Sequence, residues 1–224
     1  NLNLKKNDIF KIVSKNTSIV FITFPNIPVE GDIDLVFIKK FSKFLDKKKV
    51  LLVIDEVYFP FNPSSSIKLV KQFKNLVVMR SFSKAFGLAG ARVGYIVSEQ
   101  GKIKVFSNTR GGYETNMLSA IAINFVLDNY SLTKKYIKEI KNGFKFLKKK
   151  LKELKIDYYG GTNSNFIFIN FRNKFIAKNI FSKLKQNKIA VRYGYQKPFD
   201  KGILLTGCPP KEMKKFFSVF IKIF

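Results

Sequence analysis

Two uninterrupted apolar runs constrain the fold of this chain more than any other feature. Residues 17–24, TSIVFITF, and residues 49–56, KVLLVIDE, carry apolar side chains at successive positions rather than at alternate ones. Such strands are buried on both faces, which is typical of the parallel strands of α/β proteins. Between them, residues 33–47 carry apolar positions at helical spacing. The chain is therefore expected to begin with a strand–helix–strand unit.

The segments that follow continue this alternation and then change character. The pattern predicts a helix over 65–74, strands over 75–82 and 91–98, and helices over 115–128 and 131–155. It then predicts strands over 165–171, 188–194 and 202–207, with helices over 174–187 and from 209 onwards. We therefore expect an α/β chain with two domains: a partial large domain with a mostly parallel sheet over 1–128, and a connecting helix with a small C-terminal α+β domain over 129–224.

Composition excludes several kinds of chemistry. The chain has no histidine and one cysteine, Cys208, which rules out a Ser-His-Asp triad, a His-ligated metal and an intrachain disulfide. We expect no metal site, no membrane span and a cytoplasmic location. The net charge of +27 indicates an anionic partner, but 37 of the 42 basic residues are lysine. Nucleic-acid readers favour arginine, so phosphorylated small molecules are the preferred interpretation.

Polar residues cluster where the predicted strands end. Asp55 and Glu56 end the second strand, and Ser81, Ser83 and Lys84 follow the third. Open α/β sheets bind ligands at that edge. A buried carboxylate at position 55 needs a partner, which can be a protonated pyridine nitrogen, a helix N-terminus or a structural cation.

The loop around Lys84 is rich in hydroxyl groups and glycine. A lysine amine can attack an aldehyde and form a Schiff base when burial or nearby positive charge lowers its pKa. Ser81, Ser83, the glycine backbone at Gly87 and Arg92 together suit a bound phosphate. The alternative interpretation is that Lys84 is an ordinary solvent-exposed lysine after a strand.

Two motifs carry a resemblance to a known family. D-E-V-Y at 55–58 and S-F-S-K-A-F-G-L-A-G-A-R-V-G-Y at 81–95 resemble the fold-type I enzymes that use pyridoxal 5′-phosphate (PLP), and most of all the class I/II aminotransferases of the histidinol-phosphate aminotransferase type. The resemblance extends more weakly over nearly the whole chain. It implies a three-layer large domain, partial in this chain, and a homodimer.

The resemblance also implies roles for individual residues. Lys84 would form the Schiff base and move protons, Asp55 would hold the pyridinium proton, and Tyr58 would bond the ring's phenolic oxygen. The implied cofactor-binding residues are Asn26, Asp55, Tyr58, Ser81, Ser83, Lys84 and Arg92. The implied substrate-binding residues are Asn165 and Arg192.

Three departures from the family pattern concern the same site. Ile27 stands where the family has an asparagine that bonds the cofactor, and Asn26 is the nearest residue able to substitute. Ile203 stands, in our alignment, where the family has a substrate-binding arginine, with Lys201 two residues away. The family's N-terminal portion also has no counterpart, so we expect a chain that begins near the middle of the large domain and is poorly stable alone.

Three functions stay open from the sequence. The first is a PLP-dependent aminotransferase that moves an amino group between a small, phosphorylated amino compound and a keto acid. The second is a related PLP-dependent decarboxylase of an amino-acid phosphate such as threonine or serine phosphate. The third is a degenerate, cofactor-free basic interaction module.

Overall fold

The chain divides into two compact units. The computed structural model describes residue 2 and residues 6–112 and 114–224. The N-terminal unit extends to Thr133, and the C-terminal unit holds residues 134–224 together with the loop 27–30. The division thus falls a few residues after the predicted boundary at 128. The loop belongs to the C-terminal unit because the Glu30 carboxylate accepts hydrogen bonds from residues 162–164.

A four-stranded sheet with the order β1-β2-β3-β4 forms the centre of the N-terminal unit. The strands are β1 (Ile19–Thr23), β2 (Leu51–Asp55), β3 (Leu76–Ser81) and β4 (Gly94–Val97). The first three are parallel and β4 runs antiparallel to β3, which confirms a mostly parallel sheet. The helices are α1 (Lys6–Lys11), α2 (Leu35–Lys47), α3 (Gln100–Ser107), α4 (Met117–Asp128) and the start of α5 (Tyr130–Glu153).

One face of this sheet is packed and the other is partly open. Asp34 caps α2 by accepting a 2.7 Å hydrogen bond from the Phe37 N–H, and α2 then lays an apolar stripe on the sheet. The covered face is the one that meets α2, with Ile22, Leu52, Ile54 and Val78 in its core. The opposite face, which we call the open face, leaves Phe21 and Met79 exposed.

The C-terminal unit is a smaller α+β unit. Its sheet is antiparallel, in the order β5 (Asp157–Gly160), β6 (Phe166–Asn170) and β7 (Gly202–Thr206). Helices α6 (Lys174–Gln186) and α7 (Pro210–Ile223) accompany the rest of α5. Fully buried aromatic rings fill its core, among them Phe144, Phe166, Phe168 and Phe220.

Several elements differ from their predicted form. Only a short 3₁₀ turn, Ile67–Lys71, lies within the helix predicted over 65–74, because Ser65 and Ser66 are bonded to Glu56 just before it. The strand predicted over 188–194 is a single bridge between Arg192 and Leu204. Helices α1 and α3 and strand β5 were not predicted. Among the described helices, none combines the length and the apolar character needed to cross a lipid bilayer.

Candidate active site

The three parallel strands end at one edge of the sheet. The register aligns Thr23 of β1 with Asp55 of β2, and Asp55 with Met79 of β3. Neighbouring strands lie about 4.8 Å apart. The segments that leave this edge carry Asn26, Tyr58 and Ser81 to Lys84, so the fold gathers every predicted cofactor residue of strands β1 to β3 there.

The pleat separates the two neighbouring carboxylates, because successive side chains of a strand point to opposite faces. Asp55 shares the open face with Phe21 and Met79, and Glu56 lies on the covered face. One Asp55 oxygen accepts a 2.9 Å hydrogen bond from the Val57 N–H, and no side-chain donor among the described residues pairs with it. Burial raises the pKa of Asp55, and the charge of Glu56 raises it further.

Glu56 is occupied by a different set of groups. It is 1% exposed and forms an ion pair with Arg80, whose Nη2 lies 2.9 Å from Oε2. Ser65 and Ser66 also donate hydrogen bonds to its carboxylate. Arg80 was not among the predicted site residues. The strand register brings it beside Glu56, and the local sequence carries no signal of that register.

Tyr58 and Asn26 flank Asp55 along the edge. Tyr58 is buried in the turn that follows β2, where Phe61 N–H donates to its carbonyl at 2.7 Å. Asn26 accepts a 2.8 Å hydrogen bond from the Thr23 hydroxyl. The side chain of Ile27 is exposed and offers no polar group. Asn26 is therefore the polar side chain that this loop places beside the end of β1.

The loop after β3 presents hydroxyls and an amine. The Ser81 and Ser83 hydroxyls are 2.9 Å apart, and Ser81 Oγ also accepts from the Ser83 N–H at 3.1 Å. Lys84 is half-buried, and its amine has no hydrogen-bond or ion-pair partner among the described residues. The turn closes through Gly87, whose N–H donates to the Lys84 carbonyl and whose φ of 70° favours glycine.

Arg92 lies just before β4, the strand that pairs with β3. Its φ is 55°, a left-handed conformation that is uncommon for residues other than glycine. Its Nη1 donates to the Ala89 carbonyl at 3.0 Å, and the side chain is exposed. Two residues later, Gly94 pairs with Ser81 across β3 and β4. A Cβ at Gly94 would lie 2.6 Å from the Arg80 carbonyl oxygen, so this close approach requires glycine.

The predicted substrate residues lie in the C-terminal unit. The Arg192 side chain is exposed, with its guanidinium 5.1 Å from the centre of the Tyr195 ring. Asn165 precedes β6, and its carbonyl accepts a 2.8 Å hydrogen bond from the Gly207 N–H. Ile203 is fully buried, so a charged side chain at that position would lie in the core. The next residue, Leu204, points to the other face of β7 and is the one that pairs with Arg192.

The fold and the site define an α/β protein in which an amine, an unpaired carboxylate and hydroxyl groups meet at the edge of a mostly parallel sheet. The family described as aminotransferase class I and II matches residues 2–218, and the chain belongs to that family.

The curated relatives of this chain are longer proteins, of which it matches only a part. Histidinol-phosphate aminotransferase 1 of Carboxydothermus hydrogenoformans is 37% identical over 175 residues, which cover 78% of this chain and 48% of that protein. The enzyme of Christiangramia forsetii is 31% identical over 95% of this chain and 60% of its own length. The chain thus spans about half the length of the curated relatives it matches.

Solved structures agree on the fold. Histidinol-phosphate aminotransferase from Sinorhizobium meliloti, in complex with pyridoxal-5′-phosphate, matches 99% of this chain and 62% of its own with a TM-score of 0.88 and 22% identity. L-threonine-O-3-phosphate decarboxylase from Porphyromonas gingivalis matches 98% of this chain and 68% of its own with a TM-score of 0.76 and 18% identity. At these identities the likeness shows the fold, here the fold-type I architecture expected from the sequence.

Proposed function

We propose that this chain carries the catalytic lysine and most of the cofactor contacts of a PLP-dependent aminotransferase. Its substrates would be a small, phosphorylated amino compound of the histidinol-phosphate kind and a keto acid. One observation carries the proposal: Asp55 and Lys84 lie at the same edge of the sheet, at and just after the ends of neighbouring strands, and neither side chain has an ion-pair partner among the described residues. Membership of the aminotransferase class I and II family supports it.

The residues at this edge fit PLP by their chemistry. The Asp55 carboxylate has no cation beside it in the part of the chain that the structure describes, and it suits a protonated ring nitrogen; the Lys84 amine suits an aldehyde. The hydroxyls of Ser81 and Ser83 lie together, and the backbone N–H groups of Lys84 and Ala85 have no acceptor among the described residues. Such a set of donors suits a phosphate.

PLP, when bound, withdraws electrons from the substrate's α-carbon and so weakens its bonds. In the proposed site the Asp55 carboxylate would hold the protonated ring nitrogen, and the Tyr58 hydroxyl and Asn26 would bond the phenolic oxygen. Ser81, Ser83 and Arg92 would hold the phosphate. The Lys84 amine would hold the aldehyde end of the cofactor and would serve as the group that moves a proton at the substrate's α-carbon.

The predicted substrate-binding residues belong to the C-terminal unit. We propose that Arg192 binds the substrate's phosphate, since its guanidinium is exposed and can bind an anion with two parallel hydrogen bonds. Asn165 would also contact the substrate. Ile203 is fully buried, so the position where our alignment expects the family arginine lies in the core of this unit.

The first experiment tests covalent attachment at Lys84. The chain is incubated with PLP, reduced with borohydride and digested, and each lysine is examined by mass spectrometry. We expect a stable adduct on Lys84 that is absent in Lys84→Ala and retained in the control Lys104→Ala, a change at an exposed lysine of α3. An adduct spread evenly over surface lysines, and unchanged in Lys84→Ala, would refute the proposal.

The same preparation separates the alternative reactions. Incubation with threonine phosphate and detection of carbon dioxide reports decarboxylation, whereas a new amino acid formed from the keto acid reports transamination. We expect transamination, because the curated relatives described above are histidinol-phosphate aminotransferases. Failure of PLP to bind at all would favour the cofactor-free basic module.

A cytoplasmic location stays a prediction from the sequence.

Helix α4 supports a proposal of self-association. It is capped by Asn116 and buries Ser119 and Ile123, yet Leu118 on its other side is 80% exposed. Met117, Ile121 and Phe125 are exposed on the same side. Exposed apolar surfaces of this kind usually belong to interfaces. We propose a homodimer through this side of α4, and expect Leu118→Lys to lower the sedimentation coefficient from that of a dimer to that of a monomer.

A further inference from the structure

A buried ion pair joins the two strands that carry the proposed active-site residues. The Glu56 carboxylate accepts hydrogen bonds from Arg80 Nε and Nη2 at 3.1 and 2.9 Å, and from the Ser65 hydroxyl at 2.8 Å. Its other oxygen accepts from the Ser66 N–H and hydroxyl at 2.6 and 2.8 Å. Both oxygens are thus fully bonded inside the protein.

Arg80, like Glu56, contacts several other groups. Its guanidinium stacks on the Phe59 ring at 3.4 Å from the ring centre. Nη2 donates to the Ser65 hydroxyl at 2.6 Å, and Nη1 lies 3.4 Å from the Tyr95 hydroxyl. The side chain is 10% exposed. Arg80 therefore ties together β3, β4 and the loop that follows β2.

The pair is adjacent in sequence to the proposed site on both strands. Glu56 directly follows Asp55, and Arg80 directly precedes Ser81. The Glu56 N–H donates to the Met79 carbonyl at 2.8 Å, so the two strands are still in register where the pair forms. The pleat places the pair on the covered face, whereas Asp55 and Ser81 lie on the open face.

Stability alone gives little reason for an ion pair here. Removing two charges from water is costly, and apolar residues of similar volume commonly give equal or greater stability. The pair does provide something that apolar residues would lack: five directional hydrogen bonds to the Glu56 carboxylate, which hold Arg80, Ser65 and Ser66 in place at the ends of the two strands. Glu56 also compensates the charge of Arg80, which is the cation nearest in the register to Asp55.

We propose that Glu56 and Arg80 are positioning residues: their ion pair fixes the end of β2 against the end of β3, and it keeps the Arg80 charge from neutralising Asp55. Neither side chain would touch a ligand. The identity of the group that Asp55 binds rests on the proposed function. The decisive test of the positioning role needs no cofactor.

The charge of Asp55 can be followed directly. The chain, with ¹³C-labelled aspartate carboxyls, is titrated by NMR without PLP. Besides burial, the groups that act on Asp55 are the Val57 N–H and the Glu56 charge. Glu56→Gln leaves Arg80 uncompensated, so the Asp55 midpoint should move to lower pH. Arg80→Gln leaves Glu56 uncompensated, so the midpoint should move to higher pH.

The control is a chemically matched ion pair on the surface. Arg110 and Glu114 are 2.7 Å apart and exposed, and Glu114→Gln should leave the Asp55 midpoint unchanged. Opposite shifts in the two variants of the buried pair are a signature of charge, which loosening of the fold would not produce. Shifts in the same direction, or none beyond the control, would overturn the proposal.

A double variant tests positioning when a single variant fails to fold. Glu56→Gln/Arg80→Gln leaves no unpaired buried charge, so it is expected to fold. It loses the two charged hydrogen bonds across the strands. Exchange of the N–H of residue 56 with deuterium should therefore accelerate at least tenfold, while exchange at Leu52 of β2 stays unchanged. An exchange rate at residue 56 equal to that of the wild type would overturn the positioning role. A wild-type chain that binds no PLP would count against the proposed function only.

Discussion

Replacing Asp55 with asparagine should stabilise the folded chain at neutral pH. The Asp55 carboxylate is half-buried on the open face, and no cation among the described residues pairs with it. Burial raises its pKa above the ordinary value of 3.8. A raised pKa means that the folded state favours the protonated acid. Asp55 therefore contributes stability to the folded state below pH 3.8, and this contribution is lost as the pH rises through the pKa that Asp55 has in the folded state. Asparagine stays neutral and avoids that loss.

The expected gain follows from the contacts that change. Asparagine can keep the 2.9 Å hydrogen bond from the Val57 N–H, because it retains a carbonyl oxygen. What it removes is the cost of holding a charge at this place. Stabilising single substitutions commonly add about 0.5–2 kcal/mol, and Asp55 retains partial contact with solvent, so we expect Asp55→Asn to raise the free energy of unfolding by about 1 kcal/mol at pH 7.

Urea denaturation of both proteins at pH 7 and near pH 3.5 measures this gain. It should be present at pH 7 and nearly absent at the lower pH, where the wild-type carboxyl is protonated. Asp46→Asn, at an exposed position of α2, is the matched control and should change the unfolding free energy little at either pH. PLP affinity should fall in Asp55→Asn, since the ring nitrogen loses its carboxylate.

Two results would refute this reasoning. A less stable Asp55→Asn would mean that the carboxylate makes a stabilising contact in the folded chain. A gain of equal size at both pH values would mean that packing, and not charge, is responsible. A gain at neutral pH combined with weaker PLP binding would identify Asp55 as a residue kept for ligand binding at a cost in stability.

Two further predictions concern the C-terminal unit. Gly143→Ala lies inside α5, where helix propensity alone would add about 1 kcal/mol. A Cβ there would overlap the Cys208 carbonyl oxygen, so we expect a loss of about 3 kcal/mol or more in chemical denaturation. Glu30→Ala removes the acceptor for two backbone N–H groups and a hydroxyl in residues 162–164, and should cost about 2 kcal/mol.

Each of these predictions has its own control. Gly101→Ala, in α3, brings a Cβ to 3.0 Å only from the end of the Glu99 side chain, which can move. Equal losses at Gly101 and Gly143 would contradict the clash. Glu139→Ala, at a partly exposed site of α5, should have little effect. A loss for Glu30→Ala no larger than that for Glu139→Ala would show that the loop 27–30 is not held by its carboxylate.

The local sequence predicted the central strands and singled out Lys84 as the candidate site lysine. The apolar runs before Thr23 and Asp55 form parallel strands, as their continuous apolarity predicts. Only the second is buried as predicted, because the first leaves Ile19 and Phe21 exposed. The motif around Lys84 is long, and its glycine and hydroxyl residues meet backbone demands that are local, such as the positive φ of Gly87. Such features depend on near neighbours in the chain, and the sequence therefore predicts them.

Tertiary structure alone decided which polar groups remain available for ligands. Asp55 and Glu56 are equivalent in sequence, and only the pleat and the register give Arg80 to Glu56 and leave Asp55 unpaired. The antiparallel direction of β4 and the assignment of the loop at Glu30 to the C-terminal unit likewise depend on contacts between distant segments. Pairing between residues far apart in the chain has no local signature, and for that reason it emerged only from the fold.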